Sequence, residues 1–306
     1  MNELDTARAR HRLYGLLGRL LLDGPVDAAA ETVAALPALA DAWPSRDADA
    51  RLAMHQRVFG LEIFPYESVF LGEEGTLGGD ATNRVQRTLT AAGFRGRRTD
   101  TQPDHVGLLL GALSWLAAAE AEALEDGVDP GPARAHQARV IGGHLGRWLP
   151  VLSLSVSDMD RWTRRLLELT VEAVAAHGHA EPFELPPRPA ELLDDPRTGL
   201  ARIARAWLIP AHSGWVISRY TIGRLAARAG IPAGFGPRWK MLEGVLAGAV
   251  DHERASVVLD GLADELARWE RGYAQAAELG YVVEPWRARL ACTAAELERL
   301  REAASA

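Results

Sequence analysis

The chain has 306 residues, of which 48% are hydrophobic and 25% are charged, with 34 basic residues against 41 acidic residues. This composition is typical of a soluble globular protein and excludes a disordered or fibrous chain. The net charge of −7 disfavours non-specific binding to nucleic-acid phosphates and favours a cationic partner.

The N-terminal region lacks the order of residues that an export signal has. Acidic and basic residues alternate early, and Arg19 interrupts the apolar run that follows. The longest uncharged run, 106–119, has 14 residues, fewer than the roughly 18 to 20 that cross a bilayer. We therefore predict a cytoplasmic protein without a transmembrane helix.

Apolar residues recur at three- and four-residue spacing along most of the chain, which predicts helices packed in layers. The helices predicted in the first half lie at 5–22, 26–41, 46–60, 80–92, 102–125, 131–148 and 156–177. Those predicted in the second half lie at 197–208, 214–229, 237–250, 252–279 and 284–303. No window alternates like a strand, so the predicted fold class is all-α, a multi-helix bundle with an additional C-terminal helical block.

The proline-rich segment 178–196 divides the two halves. It holds five prolines and no helical periodicity, which favours a linker or a strap across the surface. We predict a helical domain at 1–180 and a helical extension at 181–306.

Motifs that carry catalysis or bind cofactors are missing from the sequence. There is no phosphate-binding GxxxxGK[ST] loop, no GxGxxG after a strand and no HExxH pair. His177 and His179 are interpreted as surface residues at a helix end, and Ser213 is predicted to be the N-cap of the helix at 214–229. We therefore expect no enzyme activity, no catalytic residues, no metal and no cofactor.

The only cysteine, Cys292, lies in a predicted amphipathic helix. A single cysteine forms no disulfide within the chain and no thiolate metal cage. We expect it to be a buried small side chain.

Residues 218–240 support an alternative function. The run Thr221–Ile231 resembles the first helix and turn of MerR-type helix-turn-helix regulators, and Arg238 and Trp239 follow near the position where that family reads DNA. Gly and Pro residues occupy the span of the recognition helix, where they destabilise helices. DNA binding is retained as the alternative hypothesis.

Two short motifs are not explained by helix formation alone, PYESVFL at 65–71 and QPDH at 102–105. In QPDH, Pro103 suits the first turn of a helix. Asp104 and His105 are then expected in that first turn, at the positive end of the helix dipole.

From Pro65 to about Glu120 the sequence resembles the TorD/DmsD/NarJ family of chaperones for molybdenum-containing redox enzymes. The motifs that match are PYESVFLGEEG, a following helix that ends in Gly-Phe, and QPDHVGLLLGALSWLA. The family hallmark is Glu-Pro-x-Asp-His, in which Asp104 and His105 match the last two residues while Thr101 and Gln102 replace the Glu and Pro. The run His144–Pro150 resembles the His-Leu-x-x-Trp turn of the family.

The resemblance implies a chaperone that binds the twin-arginine signal peptide, the apo form, or both, of a molybdopterin oxidoreductase catalytic subunit. It implies no nucleic-acid binding and no membrane insertion, and it leaves a homodimer open. Such a leader pairs two arginines with an apolar run, so it requires carboxylates beside an apolar groove. The predicted client-binding residues are Pro65, Tyr66, Glu67, Ser68, Phe70, Pro103, Asp104, His105 and Trp148. Further acids close to these motifs are Glu73, Glu74 and Asp80.

Overall fold

The computed structural model of the protein describes residues 2–96, 100–189, 192–195 and 198–305. Across these residues the regular structure is helical, and the one β element is an isolated antiparallel bridge between Tyr66 and His105. The predicted all-α class is confirmed.

The described residues group into two compact units, each built from more than one part of the chain. The first unit contains Met1–Ser68, Thr76–Pro182 and Leu279–Val282. The second contains Val69–Gly75, Phe183–Glu278 and Val283–Ala306. The domain division near residue 180 stays a proposal.

The first unit holds most helices of the N-terminal half. They are α1 (Glu3–Asp23), α2 (Asp27–Ala34), α3 (Pro37–Ala40), α4 (Ala48–Gln56), the start of α5 (Glu67–Leu71), α6 (Gly79–Ala91), α7 (Val106–Glu125), α8 (Gly131–Val140), α9 (Gly146–Ser155) and α10 (Arg161–Ala175). Two π-helical turns, Arg57–Glu62 and Ile141–Leu145, follow α4 and α8.

Helices α1 and α7 form the centre of this unit, and glycines let them approach closely. A Cβ atom on Gly18 would lie 2.8 Å from the Gly107 carbonyl oxygen, and one on Gly107 would lie 2.7 Å from the Gly18 carbonyl oxygen. Real Cβ atoms do not come this close, so a larger residue at either position would push the helices apart. The α1–α7 contact therefore depends on glycine.

The second unit holds α11 (Leu200–Trp207), α12 (Pro210–Ser213), α13 (Arg219–Ala229), α14 (Arg238–Asp251), α15 (Ala255–Glu278) and α16 (Glu284–Ser305). Gly214 ends α12 with φ of 75°, and a Cβ atom there would lie 2.4 Å from the Leu290 backbone nitrogen of α16. The indole of Trp207 donates to Glu296 on α16 at 2.8 Å. These contacts join α11 and α12 to the C-terminal helix.

The helix boundaries differ from the predicted ones where breakers or caps intervene. The predicted helix at 26–41 divides at Pro37, which begins α3. The predicted helix at 102–125 begins only at Val106, and a short helix, α5, lies inside the PYESVFL motif. Proline position and side-chain capping set these ends, and a periodicity search detects neither.

Two single-residue predictions in the C-terminal half are wrong. Ser213 is the last residue of α12, and the N-cap of α13 is Ser218, whose side chain accepts a hydrogen bond from the Thr221 N–H at 3.0 Å. Cys292 is exposed instead of buried. It lies on α16 on the side that faces solvent, so the apolar stripe of that helix does not include it.

Helix α7 is long and apolar enough to cross a membrane by length and composition, with a mean hydropathy of 1.4. In the structure 67% of the residues in its most apolar window are buried inside the protein. A buried core helix of a soluble protein also meets these criteria of length and composition.

Candidate functional site

The first four residues of the PYESVFL motif, Pro65–Ser68, lie beside the QPDH motif in the first unit. The Val106 N–H donates to the Pro65 carbonyl at 2.9 Å, and the Glu67 N–H donates to the Asp104 carbonyl at 3.0 Å. These bonds flank Tyr66 and His105, which form the isolated bridge. The structure thus brings together two motifs that lie more than thirty residues apart in the sequence.

Asp104 holds the start of α5 in place. Its side chain is fully buried, and Oδ2 accepts a hydrogen bond from the Ser68 N–H at 2.9 Å. Together with its carbonyl, Asp104 therefore satisfies two N–H groups in the first turn of α5, which have no partner within the helix. Ser68, also fully buried, accepts a hydrogen bond from the Gly78 N–H through Oγ at 3.2 Å.

His105 caps the next helix. It is the N-cap of α7, and its Nδ1 accepts a hydrogen bond from the Gly107 N–H at 3.0 Å. The prediction that His105 and Asp104 lie in the first turn of that helix is wrong, because both residues precede it. The ring of Tyr66 meets the His105 ring edge-on, with centroids 4.8 Å apart.

Glu67 lies inside the protein. It is 1% exposed, and its two carboxylate oxygens lie 3.1 and 3.0 Å from Nδ1 of His144, which is 5% exposed. An ionised carboxylate only accepts, so Nδ1 of His144 donates. Nε2 of His144 lies 2.8 Å from Oγ1 of Thr88 on α6. The Glu67 carboxylate therefore interacts with His144 inside the protein and does not face solvent.

A π-helical turn places His144 beside Glu67. The turn Ile141–Leu145 connects α8 and α9, and such a turn adds a residue and rotates the following side chains by about 100°. The sequence prediction omitted His144 and Thr88 from the site. The available signal for His144 was its place in the family-like run at 144–150, next to Trp148.

The other predicted residues differ in exposure. Tyr66 and Pro103 are partly exposed, whereas Pro65 and Trp148 are buried. Phe70 belongs to the second unit and is 1% exposed. The further acids Glu73, Glu74 and Asp80 are all exposed.

A groove of about 470 Å³ lies next to Pro103 in the first unit. Its wall is formed by the C-terminal half of α6, the turn after it and the first turns of α7. The residues that line it are Gln86, Leu89, Thr90, Gly93, Phe94, Arg95, Gly96, Thr101, Pro103 and Leu108. Leu89, Phe94 and Leu108 provide apolar surface, and Thr101 occupies the hallmark glutamate position. This volume suits a few side chains of a bound peptide.

A second cavity of about 640 Å³ in the first unit has charged walls. Arg134 donates through Nε to Glu120 at 2.7 Å, so these charges are already paired. His177 also lines the cavity, with Nδ1 2.9 Å from the Tyr14 hydroxyl, which donates to the Ala173 carbonyl. Burial, reinforced by Arg10, lowers the pKa of His177 to about 4. His177 is therefore neutral at pH 7, and it is partly buried.

Residues 26–153 match the family model of the nitrate reductase delta subunit. The match covers 128 of the 306 residues and supports the NarJ/TorD-type chaperone family for this part of the chain. The family resemblance predicted from the two motifs is thus confirmed. The family acts in the maturation of molybdoenzymes and consists of chaperones. No curated protein and no solved structure matches the chain.

The chaperone match contains both motifs, His144 and the groove, and it ends at residue 153, before α10 and the helices of the second unit. The comparisons give no support to the helix-turn-helix alternative. In the structure Arg238 donates to the Ile217 carbonyl at 3.1 Å, and the Arg205 guanidinium lies 4.0 Å above the Trp239 ring.

Proposed function

We propose that this protein is a cytoplasmic maturation chaperone that binds the twin-arginine leader, the apo form, or both, of a molybdopterin oxidoreductase catalytic subunit, called the client below. The observation that carries the proposal is the pairing of PYESVFL with QPDH inside the matched region, beside an open groove. The chaperone acts by binding and release, without turnover of a substrate.

The exposed and the buried residues of the predicted site have different roles in this proposal. Tyr66 and Pro103 contact the client, because both are partly exposed and Pro103 lines the groove. Glu67, Asp104 and His105 act as positioning residues, since Glu67 pairs with His144, Asp104 caps the start of α5 and His105 caps α7. Ser68 and Trp148, both buried, support the same framework, and Phe70 remains a predicted site residue in the second unit.

The groove is proposed to take the apolar run of the leader. Leu89, Phe94 and Leu108 are its apolar residues, and apolar side chains of a peptide gain stability when they leave water for such a surface. The residue at the hallmark acid position, Thr101, offers a hydroxyl where the family has a carboxylate. Binding of a guanidinium at this point is therefore weaker than an ion pair would be.

The two arginines of the leader are proposed to bind exposed carboxylates outside the groove. Asp80, exposed at the start of α6, lies nine residues before Leu89, a distance of about 13 Å along a helix. About four residues of an extended peptide span that distance. Nine residues make about two and a half turns of helix, so Asp80 and Leu89 lie on opposite sides of α6 and the leader would cross the N-terminal part of the helix to reach both.

The test is calorimetric titration of the full chain with a synthetic leader peptide of a molybdoenzyme catalytic subunit from the same genome. Thr90→Trp fills the groove with a bulky side chain, so we expect the dissociation constant to rise at least about tenfold. Ala135→Trp is the matched control, because Ala135 is exposed on α8 and lies neither in the groove nor on α6. A peptide with both arginines replaced by lysine should bind more weakly than the twin-arginine peptide.

Two results would contradict the proposal at different levels. If the wild type and Thr90→Trp bind the leader peptide with equal affinity, the groove is not part of the leader-binding site. If the wild-type chain binds neither the leader peptide nor the purified apo client, the proposed chaperone function is wrong.

A further inference from the structure

One part of the second unit is strongly basic. Residues 198–242 contain seven arginine or lysine residues and no aspartate or glutamate. The other 261 residues therefore hold 27 basic and 41 acidic residues, a net charge of −14. An acidic protein thus carries one segment of opposite charge.

Only some of these cations are neutralised by carboxylates elsewhere in the unit. The pairs are Arg202 with Asp195, Arg224 with Glu265, and Arg228 with Asp264. Within the part of the chain that the structure describes, no carboxylate forms an ion pair with Arg205, Arg219 or Lys240. The positive charge of these three residues is available to a partner.

An exposed aromatic residue lies among them. Phe235 is 101% exposed and stands between Gly234 and Gly236, whose φ angles of 72° and 114° favour glycine. Nη1 of Arg219 donates to the Gly236 carbonyl at 2.7 Å. The backbone of the loop is therefore tied to α13, and the loop presents the phenyl ring to solvent.

A second aromatic residue is covered by cations. The guanidinium of Arg205 lies 4.0 Å from the Trp239 ring centroid, and Nζ of Lys240 lies 5.4 Å from it. These cation–π contacts keep the Arg205 guanidinium and the Lys240 ammonium group beside the Trp239 ring. We call Arg205, Arg219, Phe235, Trp239 and Lys240 the basic-aromatic surface.

We propose that the basic-aromatic surface binds the folded body of the client, at an acidic patch with an apolar pocket that receives Phe235. This inference rests on the proposed function and names a second contact, separate from the leader. Phe, Trp and Arg are the residues enriched at protein–protein interfaces and their hot spots. The charge complementarity selects an acidic partner.

A protein fits this surface better than a membrane or a nucleic acid does. Both of those present an extended negative field, which repels the rest of the chain with its net charge of −14. A protein partner instead offers carboxylates locally, and a pocket that receives the exposed phenyl ring removes its apolar surface from water.

The test measures binding of the full chain to the apo client without its leader and, separately, to the leader peptide. We expect Phe235→Ala to weaken binding to the leaderless client at least about tenfold, as hot-spot residues do. The double variant Arg205→Glu/Lys240→Glu should weaken it more at low than at high salt. Both variants should bind the leader peptide with wild-type affinity.

Matched controls are available in the same unit. Val250→Ala removes another exposed apolar side chain, 63% exposed, and Arg271→Glu reverses an exposed charge on α15. Both should leave the affinity for the leaderless client unchanged, and thermal unfolding should show that all variants remain folded.

Several results would overturn the inference. If the leader peptide binds but neither variant affects binding of the leaderless client, this inference fails and the proposed function stands. The inference is also wrong if Phe235→Ala abolishes binding to anionic phospholipid vesicles, double-stranded DNA or a second copy of the chain and spares the client. A wild-type chain that binds neither form of the client overturns this inference and the proposed function together.

Discussion

At the scale of single residues, the site depends on buried polar groups that satisfy one another. Glu67 pairs with His144, and Asp104 accepts from the backbone of Ser68. A buried carboxylate without a donor is costly, so these pairs hold the motif in one conformation. In the proposed function these pairs position the surface that contacts the client, since Tyr66 and Pro103 are the members with exposed area.

The Glu67–His144 pair leads to a prediction about stability. His144→Ala leaves the Glu67 carboxylate buried without its donor, so we expect the free energy of unfolding to fall by about 3 kcal/mol. Glu67→Gln removes the charge and keeps an acceptor, so it should cost about 1 kcal/mol. The measurement is urea unfolding followed by circular dichroism.

His136→Ala serves as the control for that series, because the ring of His136 makes only an exposed contact with Arg139. A cost for His144→Ala as small as that of His136→Ala would show that Glu67 finds another partner in solution.

At the scale of secondary-structure elements, helix ends decide the geometry of the site. Helix α7 begins at Val106, directly after the QPDH motif. The π-helical turn Ile141–Leu145 lies between α8 and α9. The first feature leaves Asp104 free to cap α5, and the second directs His144 towards Glu67. Both features are local departures from regular helix, of the kind that is often found at functional sites.

The cap on α7 can be tested with two substitutions at His105. His105→Ala loses the hydrogen bond to the Gly107 N–H and the contact with the Tyr66 ring, so we expect a loss of about 1 kcal/mol in the free energy of unfolding. His105→Asn supplies another good N-cap and should recover most of that loss. The readout is chemical denaturation of both variants.

If His105→Asn is as unstable as His105→Ala, the ring contact with Tyr66 matters more than the cap. In that case His105→Phe, which retains an aromatic ring, should be more stable than His105→Asn.

At the scale of the whole molecule, the two units share the chain in an interleaved order. The first unit is completed by Leu279–Val282, although most of its residues precede position 183. Tyr281, 5% exposed, donates to the Val171 carbonyl of α10 at 2.8 Å. A Cβ atom on Gly280 would lie 2.9 Å from the His179 ring, so this short segment packs tightly.

This interleaving predicts the behaviour of a truncated chain. A fragment of residues 1–180, which corresponds to the proposed N-terminal domain, lacks Tyr281 and should unfold at a lower temperature than the full chain. In the full chain, Tyr281→Ala should cost about 3 kcal/mol and Tyr281→Phe about 1 kcal/mol. Calorimetry of the fragment, the two variants and the full wild-type chain is the measurement.

A fragment that melts at the same temperature as the full chain would mean that the segment 279–282 adds nothing to the first unit. The division near residue 180 would then be sufficient to define an independently folding domain.

The sequence by itself determined the all-α class and the family resemblance of the region around the two motifs. Helical periodicity appears in every long element because each helix buries one face. Burial of one face requires apolar residues at three- and four-residue spacing, which can be detected within a short stretch of sequence. The family motifs are likewise contiguous runs, PYESVFL and QPDH, so they are readable without coordinates. The sequence also indicated that the two motifs belong to one site.

Only the tertiary structure decided which contacts each residue of the two motifs makes. Glu67 was expected to face an arginine of the client, yet its partner is His144, 77 positions further along the chain. Cys292 was expected inside and lies outside. Such outcomes depend on which helix faces meet and on where caps and π-helical turns rotate a side chain, and contacts between distant residues leave no periodic signal in a single sequence.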